Sequence, residues 1–536
     1  MTATMDGVAT FETVLLLLAA VVALHALALK LRLPPSAALL VGGGGLAFIP
    51  GIPQVSFDPE LALVLFLPPL LFEGAYYTAF GRFRRHLPGI IGLAVGAVVF
   101  TTVIVAEVAH MLLPELPWAA CFALGAIVSP PDAVSARAVL QHVTLPRRLQ
   151  ALLEGESLLN DATGLTLFRF AVAAAVSGTF SGGAAVGSFA MLAFGGAAVG
   201  WVVGRLGVFA VKLLRDQTLI VTTTLLLAWT AYLAGEALHV SGVIATVAAG
   251  LVFGWHQHVV MPARVRIQGS AVWRTAVFAL EALVFILIGF QLRAIVDRAG
   301  GLQEVVSTMS GPVLCVLAAI LVARFLWVFG SEGVLTALRK LGLKVARPLG
   351  PAQATVMAWT GMRGVVTLAA ALTLPAAFPG RDFLQITAFA AILVTVILQG
   401  GTLGLLIRLV KPRDTDPPPQ VSLPEAEAAV AHAKLAAAEA RAYDADGQLI
   451  HPQLLDQLRG RARATDRYAA EPDGFMDGIQ SHFEVLLAAI AAGRAELIRL
   501  HREGRIEDEV LHDLERDLDL EEVGILFQRG AQVDLR

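Results

Sequence analysis

Long runs of apolar residues alternate with short polar loops along roughly the first 410 residues of the chain. Each run is long enough for about 30 Å of hydrocarbon at about 1.5 Å per residue, some with tilt. Such runs predict membrane-spanning helices, because a helix satisfies its own backbone hydrogen bonds in lipid. The thirteen segments cover residues 11–29, 36–53, 61–80, 88–112, 117–140, 150–176, 186–213, 218–235, 240–257, 272–292, 309–336, 351–375 and 383–409.

Basic residues fall on alternate sides of this predicted bundle. Eighteen Lys and Arg residues lie in the loops that follow odd-numbered segments or at the ends of those segments, whereas the loops after even-numbered segments hold only Arg293, Arg298 and Arg381. Basic loops mark the cytoplasmic side of a membrane. We therefore expect a multi-pass protein of the plasma (inner) membrane, with its N-terminus outside and its C-terminus in the cytoplasm.

Composition agrees with a membrane protein and sets the last part of the chain apart. Hydrophobic residues make up 56% of the chain and charged residues 15%, against about 25% charged in soluble proteins. After about residue 412 the sequence becomes polar, with helical patterns over 425–441, 475–504 and 506–527. We expect a transmembrane domain over 1–412 and a small helical cytoplasmic domain over 413–536. A packing or dimer-contact role is favoured for this tail over a regulatory one.

The sixth segment carries a polar cluster near the middle of the membrane. Asp161 follows the start of the segment by about eleven residues, which is about 16 Å of helix. Ser157 precedes it by one helical turn and shares its face, while Glu156 and Asn160 form an adjacent pair. Ionisable residues at this depth are costly and are functional by default.

Two other segments are expected to be broken at the same depth. Pro130 and Pro131 stand directly before Asp132, and proline removes an N–H and clashes with the preceding turn. In the twelfth segment Arg363 lies within the glycine-flanked motif Gly361–Gly364. Segments five and twelve are seven apart, which fits two inverted six-helix repeats joined by a linking helix. Paired broken helices of this kind indicate a transporter with its site at the membrane midplane.

The side chains expected at this depth favour a hard cation. Asp132 and Asp161 supply carboxylate oxygens, and Ser157 and a freed carbonyl near Pro131 add neutral oxygens, a set that suits hard cations better than softer metals. Glu73, which follows two prolines in the third segment, is a further acid near mid-membrane. The same carboxylates can hold a proton. Cation and proton would then compete for one site, and that competition is sufficient for exchange.

Buried arginines in these segments need partners, because a lone guanidinium at mid-membrane is expensive. We expect Arg363 to pair with Glu156 in a structural ion pair, and Arg324 to pair with Glu281. The residue before Asp161 is a neutral asparagine. If a single carboxylate carries the exchanging charge, one proton replaces one monovalent cation.

The motifs resemble those of the monovalent cation:proton antiporter-1 family, the sodium/proton antiporters of NhaP and eukaryotic exchanger type. The resemblance covers about residues 1–410 and rests on Glu156–Asp161, Gly361–Gly364, Pro68–Glu73 and Asp132. It implies a homodimer of thirteen-helix protomers with separate core and dimer domains. It also implies elevator-like movement of the core.

The same resemblance implies a set of site residues. Those that match the family's ion site are Asp132, Ser157 and Asp161, with Glu73 and Asn160 close by. The family's core ion pair corresponds to Glu156 and Arg363. Many members have Thr-Asp-Pro in the fifth segment, where this chain has Pro-Pro-Asp-Ala. The neutral backbone ligand would then be the Pro131 carbonyl, or Ser129 would take its place.

The predicted function is exchange of Na+ (or of K+ or Li+) for H+, without a cofactor and without a nucleic-acid partner. A potassium/proton antiporter of the same fold is the first alternative. A cation channel would need a continuous polar pore, and the apolar segments offer few further polar positions. An intramembrane aspartyl protease also uses two buried aspartates, but in Tyr-Asp and Gly-x-Gly-Asp contexts that this chain lacks at Asp132 and Asp161.

Overall fold

The computed structural model describes residues 7–31, 34–49, 59–132, 145–178, 182–414, 416, 417, 420–443, 446 and 448–533. Within these residues the regular structure is helical, apart from one isolated bridge between Tyr443 and Leu449. In the same part of the chain, eight helices are long and apolar enough to cross a membrane. The predicted all-α class is confirmed.

The chain divides into two compact units, Met1–Asp416 and Pro417–Arg536. The first unit contains α1 (Gly7–Leu31), α2 (Pro35–Ala47), α3 (Pro59–Tyr77), α4 (Phe80–Ile91), α5 (Val98–Leu112), α6 (Trp118–Val128), α7 (Arg147–Ser177), α8 (Gly182–Leu213), α9 (Gln217–Ala237), α10 (Gly242–Val260), α11 (Ala263–Arg298), α12 (Ser310–Lys340), α13 (Pro351–Trp359), α14 (Val365–Leu372), α15 (Arg381–Val394) and α16 (Gly401–Val410). Short π-helical stretches, Gly92–Ala97 and Thr395–Gly400, join α4 to α5 and α15 to α16.

Helix ends depart from the predicted segments where the helix continues through polar sequence. The fourth predicted segment begins at residue 88, but α4 already begins at Phe80. The extra turns carry several arginines on one side and bury Phe83 on the other, so they form an amphipathic helix rather than an apolar one. Similarly, α11 extends beyond the predicted 272–292 at both ends.

Two glycines bring α2 and α11 into close contact. A Cβ on Gly43 would lie 2.5 Å from the carbonyl oxygen of Ile286, and a Cβ on Gly289 would lie 2.5 Å from the carbonyl oxygen of Leu40. Neither position has room for a larger residue. Small residues allow helix backbones to approach closely in membranes, and the glycine run of the second segment serves this purpose.

The helices around α7 position the candidate site. The helix α7 packs against α4 and α6, and α5 packs against both α6 and α12. Apolar side chains of α6 and α15 form the centre of this group, among them Leu124, Ile127, Leu384 and Ile392, all fully or almost fully buried. The helix α3 contacts both α7 and α14.

Both predicted interruptions are visible in the described residues. The helix α6 ends at Val128, directly before the Pro130–Pro131 pair. Residues 133–144, which would continue the fifth segment, lie outside the described residues. In the twelfth segment α13 ends at Trp359 and α14 begins at Val365, with non-helical backbone between them.

In the described residues of the second unit there are four helices: α17 (Leu423–Glu439), α18 (Pro452–Ala470), α19 (Pro472–Arg502) and α20 (Asp508–Val533). The helix α17 packs on α18, and α19 packs on α20 around Phe483, Ile490 and Ile525. The sequence pattern does not predict α18. This helix buries only three residues, so its apolar face is too sparse to stand out.

Candidate functional site

The polar residues of α7 divide between two faces of the helix. Ser157 and Asp161 are one turn apart and line the same cavity. Glu156 and Asn160 are each displaced by one residue from that face, and they are 1% and 0% exposed. The helix therefore presents one carboxylate and one hydroxyl to the cavity and keeps another carboxylate and an amide inside the protein.

The cavity lies where three parts of the chain meet α7. Its lining residues are Leu67, Leu70 and Leu71 of α3, Pro130 and Asp132 after α6, Ser157, Leu158 and Asp161 of α7, and Gly364, Val365, Val366 and Thr367 at the start of α14. Asp132 is close enough to Asp161 for their charges to interact. The structure thus brings together Asp132, Ser157 and Asp161, which the sequence places in two separate segments.

Asp132 joins the two interrupted segments through its backbone. Its N–H donates to the carbonyl oxygen of Met362, with the two atoms 2.6 Å apart. Its carboxylate lies against Gly364, where a Cβ would overlap with it. Because Gly364 directly precedes α14, the carboxylate lies at the positive end of a half-helix, which stabilises negative charge.

The carbonyl of Pro131 is held by Asn160, whose Nδ2 donates a short hydrogen bond to it. Ser129, the other predicted neutral ligand, has its hydroxyl 3.0 Å from the hydroxyl of Thr102. Neither Pro131 nor Asn160 is among the residues that line the cavity. In the described residues Asn160 therefore acts on the site by fixing the backbone just before Asp132.

Glu73 lies on α3, whose contribution to the cavity consists of Leu67, Leu70 and Leu71. It follows the last of these leucines by two residues, and it is not among the lining residues itself. The structure therefore brings α3 to the site but does not bring this carboxylate into the cavity.

The predicted ion pair between Glu156 and Arg363 is wrong. Both terminal nitrogens of Arg324, on α12, donate to the two carboxylate oxygens of Glu156, and the Nη2–Oε2 distance is 2.8 Å. This pair also replaces the one expected between Arg324 and Glu281. The fold brings α12 beside the buried face of α7, and Arg324 reaches the carboxylate with the bidentate geometry that favours an arginine–carboxylate pair.

Arg363 finds hydrogen-bond partners close to the break in its own segment. Its Nη1 donates to the carbonyl oxygen of Gly361, and its backbone N–H donates to the hydroxyl of Thr395, both at 2.9 Å. A carbonyl group in the non-helical stretch thus accepts one of the hydrogen bonds that the guanidinium of Arg363 can donate. Glu156 remains close enough to interact with Arg363 electrostatically, although it makes no ion pair with it within 4 Å.

Sequence reasoning missed Thr367. This residue lines the cavity and is 2% exposed. It lies on α14, three residues after Gly364, in a stretch that reads simply as apolar helix. A polar residue one turn beyond a predicted helix break was the signal that could have identified it.

The beginning of α7 is anchored outside the apolar segments. The Nε of Arg147 donates to Oδ2 of Asp414 at 2.6 Å, and Nη2 of the same arginine lies 3.4 Å from the carbonyl oxygen of Asp416. Partial burial acts to raise the pKa of Asp414, but hydrogen bonds from Arg147 and from the backbone N–H of Asp416 outweigh it and hold that pKa below its ordinary value. The chain that follows α16 is therefore attached to the helix that carries Asp161.

The chain matches the family described as "Sodium/hydrogen exchanger, transmembrane" over residues 16–409. It belongs to this family of membrane transporters, whose members are not enzymes. The resemblance inferred from the motifs is thereby confirmed.

Relatives of this chain carry names of the same kind. An uncharacterized Na+/H+ exchanger of Mycobacterium tuberculosis is 31% identical over 530 residues, which cover 96% of each chain. A sodium, potassium, lithium and rubidium/H+ antiporter of Bacillus pumilus is 33% identical over 417 residues, covering 74% of this chain and 61% of that protein.

A solved structure shares the fold. The sodium proton antiporter MjNhaP1 from Methanocaldococcus jannaschii, determined at pH 8, matches with a TM-score of 0.59 and 22% identity. The match covers 75% of this chain and 99% of that one.

Proposed function

We propose that this protein exchanges a monovalent cation, Na+ in the first place, for H+ across the plasma membrane. The observation that carries the proposal is the common cavity of Asp132, Ser157 and Asp161 beside two interrupted helices. Membership of the sodium/hydrogen exchanger family supports the same activity.

The proposed mechanism is competition for the carboxylates of this cavity. Two carboxylates that face one confined space repel each other, and either a bound cation or a bound proton relieves this repulsion. A site that must be loaded with one or the other, and that is exposed to each side of the membrane in turn, exchanges the two ions. Asp161 is the proposed carrier, with Asp132 and Ser157 as further oxygen ligands of the cation.

The remaining predicted site residues receive supporting roles in this proposal. Asn160 holds the Pro131 carbonyl in place and contributes no charge, so one proton replaces one monovalent cation and the exchange is electroneutral. Glu73 serves as an accessory acid on α3, close to the cavity but outside its lining. Glu156 is assigned to the scaffold together with Arg324 and does not take part in exchange.

The proposed architecture completes this picture. Thirteen membrane helices form two inverted six-helix repeats, with the N-terminus outside and the second unit in the cytoplasm. Two copies form a homodimer, and the group of helices around α7 moves as a body to alternate access. The alternation of basic loops supports the orientation.

The identity of the cation has one specific alternative. The relative from Bacillus pumilus is named for sodium, potassium, lithium and rubidium, so potassium/proton exchange by the same site is the second candidate. The two cations use the same oxygen ligands and differ in the cavity size that suits them.

Transport in proteoliposomes tests the proposal. We expect a pH gradient to drive cation exchange by the wild-type protein, with Na+, K+ and Li+ compared at equal concentrations. Asp161→Asn and Asp132→Asn should abolish exchange, because each removes a charge that the cation needs. Asp297→Asn is the matched control, since Asp297 is an exposed aspartate on α11. Normal exchange by either cavity variant would overturn the assignment.

A further inference from the structure

The cavity holds one more oxygen-bearing side chain than the sequence assigns to it. Besides Asp132, Ser157 and Asp161, the lining residues include Thr367, while the others are glycine, proline, leucine and valine. Thr367 comes from α14, whereas Asp132 follows α6 and Asp161 lies on α7. Its hydroxyl is thus the only side-chain oxygen that α14 brings to the lining among the described residues.

The hydroxyl of Thr367 differs from those of three other buried threonines on helices of the first unit. Thr102, Thr166 and Thr246 each donate to the carbonyl four residues earlier, at 2.7–2.9 Å. Among the described residues Thr367 makes no such bond, although it is only 2% exposed. Because Thr367 lines the cavity, the lone pairs of its hydroxyl oxygen are available to a cation bound there.

We propose that Thr367 is a ligand of the transported cation and raises the cation's affinity relative to that of the proton. This inference rests on the proposed exchange function. A hard monovalent cation gains from each additional oxygen in its shell, whereas a proton needs only one carboxylate oxygen. A neutral hydroxyl therefore favours the cation in the competition without changing the charge that is exchanged.

The position of Thr367 also links this ligand to the interrupted segments. It lies at the third residue of α14, and Gly364 at the start of that half-helix contacts the carboxylate of Asp132. Asp132 is in turn hydrogen-bonded to Met362 through its backbone. The hydroxyl and the carboxylate are therefore both attached to the interrupted twelfth segment, and two ligands of one ion need such a common support.

The test compares Thr367→Val, which removes the hydroxyl and keeps the shape, with Thr367→Ser, which keeps the hydroxyl. In proteoliposomes at alkaline pH we expect Thr367→Val to raise the KM for Na+ about tenfold with little change in kcat, and Thr367→Ser to stay close to wild type. Thr246→Val is the control, because Thr246 is fully buried and bonded to its own helix on α10. It should leave KM unchanged.

A second readout separates ligation from a merely structural effect. Since only the cation loses a ligand, inhibition by protons at a fixed, saturating Na+ concentration should begin at a higher pH in Thr367→Val, by up to about one pH unit for a tenfold change in KM. Binding of Na+ should also raise the unfolding temperature of the detergent-solubilised Thr367→Ser protein more than that of Thr367→Val.

The outcomes distinguish this inference from the function on which it rests. If the wild-type protein exchanges Na+ and Thr367→Val has an unchanged KM and pH profile, Thr367 is not a ligand and the exchange function stands. The same holds if Thr367→Ser is as impaired as Thr367→Val. If the wild-type protein exchanges no monovalent cation for protons, both the function and this inference fail.

Discussion

Arg324 donates from both of its terminal nitrogens to the carboxylate of Glu156, and the two side chains are only 4% and 2% exposed. The pair joins α12 to the helix that also carries Asp161. One helix thus holds two acids with different tasks, one neutralised by a permanent partner and the other open to the cavity. In the proposed mechanism this permanent partner keeps Glu156 out of the ion exchange.

Removing one member of this pair should strongly destabilise the protein. Glu156→Gln or Arg324→Met leaves an uncompensated buried charge, which costs about 3–5 kcal/mol. We expect both single variants to unfold at a lower temperature in detergent, as measured by intrinsic fluorescence. The double variant should recover part of the loss, because neither member of the pair is left without the other, while Arg363 still loses the nearby charge of Glu156. Single variants as stable as wild type, or losses that simply add in the double variant, would contradict the pairing.

Gly364→Ala should strongly reduce exchange without unfolding the protein. A Cβ at this position would overlap with the carboxylate of Asp132 and displace it from the cavity. We expect transport to fall by more than tenfold, because ligand displacements of about 1 Å have effects of this size in binding and catalytic sites. Gly401→Ala is the control, since a Cβ there meets nothing within 4 Å. Comparable transport by the two variants would show that Asp132 has room to move.

Competition between cation and proton predicts a specific pH dependence. The apparent KM for Na+ should rise as the pH falls, approaching a tenfold rise per pH unit once protons occupy most of the sites, as mass action requires. The maximal rate at saturating Na+ should change much less. Initial rates in proteoliposomes over a matrix of pH and Na+ concentration check this. A KM for Na+ that does not depend on pH would contradict competition between the cation and the proton for this cavity.

The attachment of Asp414 to Arg147 should depend on pH with a known sign. Hydrogen bonds hold the pKa of Asp414 below its ordinary value, which is about 3.9. The contact therefore stabilises the protein fully above about pH 4 and is lost as the pH falls further through the folded-state pKa. Because both side chains are about one-third exposed, we expect less than about 1 kcal/mol.

Asp414→Asn measures this contribution. The variant should unfold at a slightly lower temperature than wild type by a constant margin between about pH 5 and 7, and the margin should close below about pH 4. Asp297→Asn provides a comparison at another partly exposed aspartate of the first unit. A margin for Asp414→Asn that persists unchanged at pH 3 would mean that the carboxylate charge is not its source.

Features that depend on neighbouring residues in the sequence were predictable. Two consecutive prolines end α6 at Val128 because proline cannot continue the hydrogen-bond ladder of a helix. The one-turn spacing of Ser157 and Asp161 places both on one cavity because helix geometry fixes that relation. In both cases the physical rule acts within one or two turns of helix.

The partner of Glu156 was not predictable in this way. Arg324 and Arg363 both lie far along the chain, and both belong to apolar segments of suitable depth. Which of them reaches the carboxylate depends on how α12 is rotated about its axis and on the path of the non-helical backbone between α13 and α14. Segment spacing carries no information about that rotation. Thr367 was missed for the same reason, since the sequence does not tell which face of α14 meets the cavity.

The hydrogen bond from the N–H of Asp132 to the carbonyl of Met362 is made entirely by main-chain atoms. No side-chain replacement at either position removes it, apart from a proline at 132. The carboxylate of Asp132 can therefore be changed without breaking the backbone hydrogen bond that connects the two interrupted segments. An Asp132→Asn protein should keep its architecture intact, which makes it a suitable non-transporting form for capturing the ion-free arrangement of the site.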